Sequence, residues 1–278
     1  ANPLYATQED LFEEIGQPVI EWITTGFNCC VFAFGQTGSG KTYSMMGNIS
    51  GDPLQYGLIP RICYSLFDTL HEQSMQDSSI DAYVTFSHME IYKEHVRDLL
   101  TPHKNAPVTL KVREHPQKGV FVEKLTHVRV TTFEEVMQLI EIGDKNRTVA
   151  STLVNKHSSR SHAIVTLTVV QRVRLINPNV PTAGLQKQEG RVHLVDLAGS
   201  ERVALSGAKN LRLKEACSIN KSLSVLGDVI LSLGSNSRRT HIPYRNSVLT
   251  HVLKDSLGGN AHAIMVATIS PSAFDYEE

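Results

Sequence analysis

The sequence predicts an α/β fold in a single domain over residues 1–278, with a central mixed, mostly parallel β-sheet and helices on both faces. Three observations carry this expectation. Strand-like and helix-like runs alternate along the chain, which places helices on either side of a sheet. The run NCCVFAF at 28–34 is apolar after its first residue, as a strand covered on both faces must be. Hydrophobic residues make up 41% of the 278 positions and charged residues 20%, enough for a packed core and incompatible with wholesale disorder.

The elements follow in chain order. After the strand 28–34 comes the glycine-rich GQTGSGKT, then a helix-compatible run. PRICYSLFDTL at 60–70 opens with proline and sets Ile62, Leu66 and Leu70 on one face, the pattern of an amphipathic helix. YVTFSHMEIY at 83–92 partly alternates and reads as a strand, and VREHPQKGVFVEKLTHVRV suggests short strands around Pro116 and Gly119. Thr132 and Glu135 form a capping box before the helix VMQLIEIG at 136–143. SHAIVTLTVVQRVR at 161–174 and GRVHLVDL at 190–197 are strands; their join, NPNVPTAGLQKQ, carries two prolines and a glycine and reads as a loop. SINKSLSVLGDVILSL at 218–233 is a long helix and AIMVATIS at 263–270 a late strand.

Composition removes several classes of function. A net charge of −1 means that any basic surface is local, so coating of nucleic acid is not expected. The four cysteines, two of them adjacent and none in a C-x-x-C pair, suit small buried apolar residues in a reducing compartment. No run approaches ~18 apolar residues, and the opening ANPLYATQED lacks a basic n-region and an apolar h-region. A cytoplasmic domain without membrane insertion is the expectation.

Chemistry concentrates in three places. Gly35, Gln36, Thr37, Gly38, Ser39, Gly40, Lys41 and Thr42 complete a G-x-x-x-x-G-K-[ST] phosphate loop, preceded by an apolar strand. Its glycines let backbone N–H groups turn inward around an anion, and the following helix would add its positive end. Lys41 is expected to reach the β- and γ-phosphates, and the Thr42 hydroxyl to ligate Mg²⁺. Asp196 ends the strand HLVDL, where an acid suits holding Mg²⁺ through water, and Gly199 can bring its N–H close to a γ-phosphate. The third place, NKHSSRSH at 155–162, offers the Ser158 and Ser159 hydroxyls to metal and phosphate and the Arg160 fork to a carboxylate. Together they indicate a P-loop NTPase.

In this combination and order the motifs resemble the kinesin motor domain: phosphate loop, first switch N-x-x-S-S-R-S-H, second switch D-L-A-G-S-E, then INKSLSVLG, HIPYRNSVLT and LKDSLGGN. The likeness runs from QEDLFEEIG to ISPSAFDYEE, and VREHP, RLKEA and SVLT are similar to the kinesin-three subfamily. The resemblance implies a microtubule-stimulated ATPase with ATP/ADP and Mg²⁺ as ligands, on the microtubule cytoskeleton. Tyr43 would stack on the adenine. Thr42 and Ser159 would ligate Mg²⁺, with Asp196 holding it through water; Ser158 and the Gly199 amide would sense the γ-phosphate. Arg160 and Glu201 would pair to close the switches around the attacking water, and Asn220 would help anchor the second switch.

From 203 to 254 the chain carries eight lysines and arginines against two acids, about +6 in a chain whose total is −1. Such a patch suits an acidic polymer surface such as tubulin. Lys214, Lys221, Arg238, Arg239, Arg245 and Lys254 are the candidates for that contact, on the helix and loops that bind microtubules in the family. Asn246, His251 and Asn210 depart from residues common in the family, and only Arg238 and Arg239 stand where many kinesin-three members carry a lysine run. The family's first strand, last helix and neck linker are expected outside residues 1–278, with cargo and dimer contacts. A non-motile microtubule-binding module is the alternative. A Ras-type GTP switch is disfavoured, because Asn220-Lys221 continues into Ser222-Leu223 and not into N-K-x-D.

Overall fold

The computed structural model describes residues 5–77, 80–101, 108–117, 119–151, 158–175, 184–201, 210–234, 241–259 and 261–272. Helix α1 (Gln8–Leu11) starts behind a reciprocal capping box between Thr7 and Asp10, and a π turn joins it to α2 (Gln17–Thr24). Strand β1 (Asn28–Phe34) leads through the phosphate loop into the single turn α3 (Lys41–Met45) and on to α4 (Leu58–Gln76). Strands β2 (Ile80–Tyr92) and β3 (His95–Asp98) form a hairpin whose two turn residues, Lys93 and Glu94, both have positive φ (50° and 62°), the sense that matches strand twist. Strands β4 (Val112–His115) and β5 (Gly119–Val122) make a separate small hairpin. Then come β6 (Val128–Val130), α5 (Phe133–Ser151), β7 (His162–Leu175), β8 (Gly184–Asp196), α6 (Asn210–Gly234), α7 (Val248–Val252), α8 (Lys254–Leu257) and β9 (Ala261–Ala267).

The main sheet has the order β3-β2-β7-β8-β1-β9, with β6 beside β2. Strands β1, β2, β8 and β9 point one way and β3, β6 and β7 the other, so the sheet is mixed. Its parallel ladders are confined to β1 with β8 and β9; the other described ladders are antiparallel. Connectivity explains the division. β2 turns directly into β3, and β7 and β8 pair as consecutive strands, which forces antiparallel neighbours. β1 reaches its parallel partners only through long crossovers.

Alternation along the strands feeds two cores. Cys29, Val31 and Ala33 of β1, Val165, Leu167 and Val169 of β7, and Val192 and Leu194 of β8 pack with Ile23 of α2, Ile62 and Leu66 of α4 and Ile140 of α5. Cys30 and Phe32, with Ile164 and Val195, face the opposite side and pack with Val225, Leu226 and Val229 of α6 and with Leu249, Val252 and Leu257. NCCVFAF is thus covered on both faces, and Cys29, Cys30 and Cys63 are buried free thiols whose pKa burial pushes up, to about 12 at Cys29 and Cys63 and further at Cys30.

Some bounds differ from expectation. Residues 184–188, assigned to a loop from their composition, belong to β8, because backbone pairing with β7 extends the ladder to Gly184. The three long helices run further than their apolar periodicity, α4 to Gln76, α5 to Ser151 and α6 from Asn210. In the cap of α5 the Glu135 amide donates to the Thr132 hydroxyl (3.2 Å), but the Glu135 carboxylate accepts from the Thr131 amide (2.7 Å) and so reaches one residue further back.

Candidate functional site

Strand register brings the three motifs together. Ala33, at the end of β1, lies beside Asp196, at the end of β8, and Asp196 lies beside Ala163, at the start of antiparallel β7. The phosphate loop, the second switch and the first switch therefore leave the sheet at one edge, where open α/β sheets bind ligands.

The phosphate loop is shaped by its glycines. Gly38 (φ +84°) and Gly40 (φ +104°) hold left-handed backbone conformations, and a Cβ on Gly35 would strike the Thr268 carbonyl and the Ser39 hydroxyl. The Ser39 and Thr268 hydroxyls hydrogen-bond at 2.6 Å, tying the loop to the chain just after β9. Lys41 is 7% exposed, and its ammonium donates to the carbonyls of Gly35 (2.8 Å) and Gln36 (2.7 Å). Burial lowers its pKa, opposed by the charges of Asp196 and Glu201. The helix expected after the loop spans only Lys41–Met45, too short for a substantial dipole, so an anion here depends on loop amides and the lysine.

Beside the loop lies a cavity of about 480 Å³, lined by Thr37, Gly38, Gly40, Lys41, Thr42, Tyr43, Ser159, Asp196 and Leu197. The Thr42 hydroxyl donates to Asp196 Oδ2 at 2.7 Å, while Asp196 Oδ1 is buried with no hydrogen-bond partner. An orphaned carboxylate oxygen next to two hydroxyls, Thr42 and Ser159, is a hard-oxygen donor set that fits Mg²⁺ and its water shell. Tyr43 lines the same cavity with a ring that is 55% exposed, open to stacking, and its carbonyl accepts from the Gln8 amide at 2.8 Å.

The second switch is clasped to the loop. Glu201 accepts from the Thr37 amide (2.8 Å) and the Thr37 hydroxyl (2.6 Å), and the Ser200 amide donates to the Gly35 carbonyl at 3.1 Å. The Gly199 amide donates to the Ser159 carbonyl at 3.0 Å, linking the switches, and a Cβ on Gly199 would collide with the Glu201 carboxylate. Both Glu201 oxygens meet Thr37 in this structure, and no described ion pair joins Glu201 to Arg160. Ser158 and Ser159 lie with Arg160 in a 3-10 turn that opens β7; the Ser158 side chain is outside the described residues.

Sequence reasoning missed His162. Its Nδ1 accepts from the Ala198 amide of the second switch (3.0 Å), so Nε2 carries the proton and donates to Ser222 Oγ (2.8 Å). Ser222 in turn donates to the Ile219 carbonyl at 2.7 Å. Burial, with Arg147 nearby, pushes the His162 pKa down to about 3, so the ring stays neutral. A histidine closing a polar switch motif was the available signal, but its partners lie 36 and 60 residues away.

Among the basic candidates, Lys221 is exposed on α6. Arg245 and Lys254 both pair with Glu114 of β4. The side chain of Lys214, and both Arg238 and Arg239, lie outside the described residues.

Comparisons with known proteins agree with this geometry. The family model "Kinesin motor domain" matches residues 3–278. Mouse kinesin-like protein KIF13A is 46% identical over 99% of this chain, and Caenorhabditis elegans unc-104 is 42% identical over all of it. Both are kinesin-three proteins, the subfamily that VREHP, RLKEA and SVLT resemble. The chain spans only 15% and 17% of their lengths. A KIF14 dimer solved with AMP-PNP in complex with a microtubule superposes with a TM-score of 0.86 at 39% identity, covering 100% of this chain and 75% of that one. A fast kinesin gives 0.84 at 41% identity, covering 97% of this chain and 72% of its own. No described helix is long and apolar enough to cross a membrane. A family match over nearly every residue, with relatives above 40% identity along the whole length, settles the assignment: this chain belongs to the kinesin motor domain family.

Proposed function

We propose that the chain is a Mg²⁺-dependent ATPase motor domain that microtubules stimulate and that couples ATP hydrolysis to movement along them. The observation that carries this reading is the single cavity walled by Lys41, Thr42, Ser159 and Asp196, with Glu201 held at its rim on Thr37. The microtubule part rests on the local cationic face and on the likeness to KIF14, which was solved on a microtubule.

Phosphoryl transfer asks a protein for positioning and charge neutralisation, with little covalent chemistry. The loop amides and Lys41 bind the phosphates, and Lys41 exchanges its two carbonyl partners for phosphate oxygens. Thr42 and Ser159 would hold Mg²⁺ through their hydroxyls, and Asp196 would hold it through water. Mg²⁺ supplies positive charge to oxygens that become more negative in the transition state. Tyr43 covers the adenine, Ser158 meets the γ-phosphate, and the Gly199 amide does so once it leaves the Ser159 carbonyl. When Glu201 leaves Thr37 it becomes available to Arg160, and their pairing positions the attacking water and passes on its proton. ATP closure therefore competes with a clasp already made.

Arg160→Ala and Glu201→Ala should leave ATP affinity within a few-fold of wild type while lowering microtubule-stimulated turnover by about a hundredfold or more. Wild-type turnover in either variant would remove the pair from the mechanism.

A further inference from the structure

We propose that Glu114 is an internal counter-carboxylate: the β4–β5 hairpin presents it to Arg245 and Lys254, where it competes with an acidic microtubule surface for the same two cations. The inference rests on the microtubule reading given above. Arg245 lies in the 3-10 turn Tyr244–Asn246, and its Nη2 donates to Glu114 Oε2 at 2.6 Å. Lys254, the first residue of α8, donates to Oε1 of the same carboxylate. His251 of α7 places Nε2 3.7 Å from Oε2, so side chains from three consecutive segments converge on one acid.

That acid is held in place by backbone. Glu114 is paired with Val120 across the hairpin, and the Val120 amide donates to Asp255 Oδ2 at 2.8 Å. Gly119, at φ +69°, leaves the room that Asp255 occupies, since a Cβ there would strike its carboxylate. α8 thus anchors the hairpin with Asp255 and meets Glu114 with the adjacent Lys254. On the other side, α7 is fixed by the Val248 amide donating to Glu94 (2.8 Å) and by the Ser247 cap on the Thr250 amide (3.2 Å). The hydrogen bonds from Lys254 and Arg245 hold the Glu114 pKa near 2, so the acid is ionised at any working pH.

The geometry also allows exchange. Arg245 is 73% exposed in its side chain and a guanidinium has five N–H donors, so most of its fork is open to a second carboxylate. Exposed ion pairs are weak enough to be traded for others in the same solvent. Glu114 lies outside the stretch 203–254, so the +6 read there overstates the charge this face offers: one carboxylate offsets two of its cations by one unit.

The test is Glu114→Gln, which keeps the shape and removes the charge. Co-sedimentation with microtubules across a KCl series should give a dissociation constant about three- to fivefold lower than wild type at low salt, the difference shrinking as salt screens the added charge. Binding to poly-L-glutamate should strengthen in parallel. Adding Arg245→Gln and Lys254→Gln should abolish both gains, and Glu114→Asp, which retracts the carboxylate, should give a smaller gain in the same direction. Unchanged or weaker microtubule binding by Glu114→Gln overturns the proposal, as does a gain that survives loss of both cations. If wild type fails to bind microtubules, the functional reading falls, while the poly-L-glutamate comparison still decides the role of Glu114.

Discussion

Two cationic regions of this molecule are built by opposite means. At the phosphate loop Lys41 is 7% exposed, and its ammonium is gripped by two carbonyls from its own motif. At the α7–α8 face Arg245 is 73% exposed, and its partner is a carboxylate 131 residues earlier in the chain. The first arrangement is enforced by backbone conformation and excludes water, so each contact there is energetically expensive to lose. The second is a surface equilibrium among side chains, open to salt and to competing acids. The difference suits the proposed function, in which the first region would grip phosphate at every turnover and the second would attach and release.

The largest effect should come from the buried side. Lys41→Ala removes the one cation among the described residues of the cavity wall and should weaken ATP binding about a hundredfold, the scale of a lost charge-assisted hydrogen bond in a desolvated site. Isothermal titration with ATP and Mg²⁺ measures it; a change under tenfold would mean that burial is not what separates the two regions.

A smaller effect is expected at His162, which shares the buried character without lining the cavity. His162→Ala leaves the Ala198 amide without its acceptor and should lower unfolding stability by about 2 kcal/mol in denaturant melts. The same residue has a pH signature. Its folded pKa of about 3 lies below the ordinary 6.5, so its contribution to stability is complete above pH 6.5 and is lost as pH falls toward 3. His88 and His193, also buried with pKa values near 3, act in the same direction. Between those limits unfolding should take up one proton fewer in His162→Ala than in wild type, which the pH dependence of the melts reads directly.

The smallest effect belongs to the exposed face. Lys221→Ala should raise the microtubule concentration for half-maximal ATPase only about two- to fivefold, with the deficit fading at higher salt. A loss comparable to that of Lys41→Ala would mean that the α6 contact becomes desolvated on binding and that the contrast fails there.

The same division governs what the sequence discloses. The phosphate loop, Asp196 and the switch motifs could be read in advance because their chemistry is local: backbone amides, left-handed glycines and adjacent hydroxyls are properties of consecutive residues. Their convergence at one sheet edge follows from strand patterns that were also visible. Three features could not be read. The Thr37–Glu201 clasp joins residues 164 apart in the chain, too far for any local pattern to show. Glu114 stood in a motif quoted for subfamily likeness, with nothing to connect it to Arg245. The short α3 escaped notice because the run after Lys41 is helix-compatible in composition and ends at Gly47, whose φ of +70° permits a close backbone approach to Gln55.

The bonded series from Ala198 through His162 and Ser222 to Ile219 has a further property. It begins at an amide, which can only give a proton, and ends at a carbonyl, which can only receive one. The imidazole and hydroxyl between them are left a single orientation each, so the series has a fixed polarity with no mirror arrangement of equal energy. Ile219 and Ser222 both belong to α6, so the imidazole is the member that ties the second switch to the helix. Exchanging the roles of its two ring nitrogens would set an N–H against the Ala198 amide, donor against donor, so the tautomer itself is part of the connection.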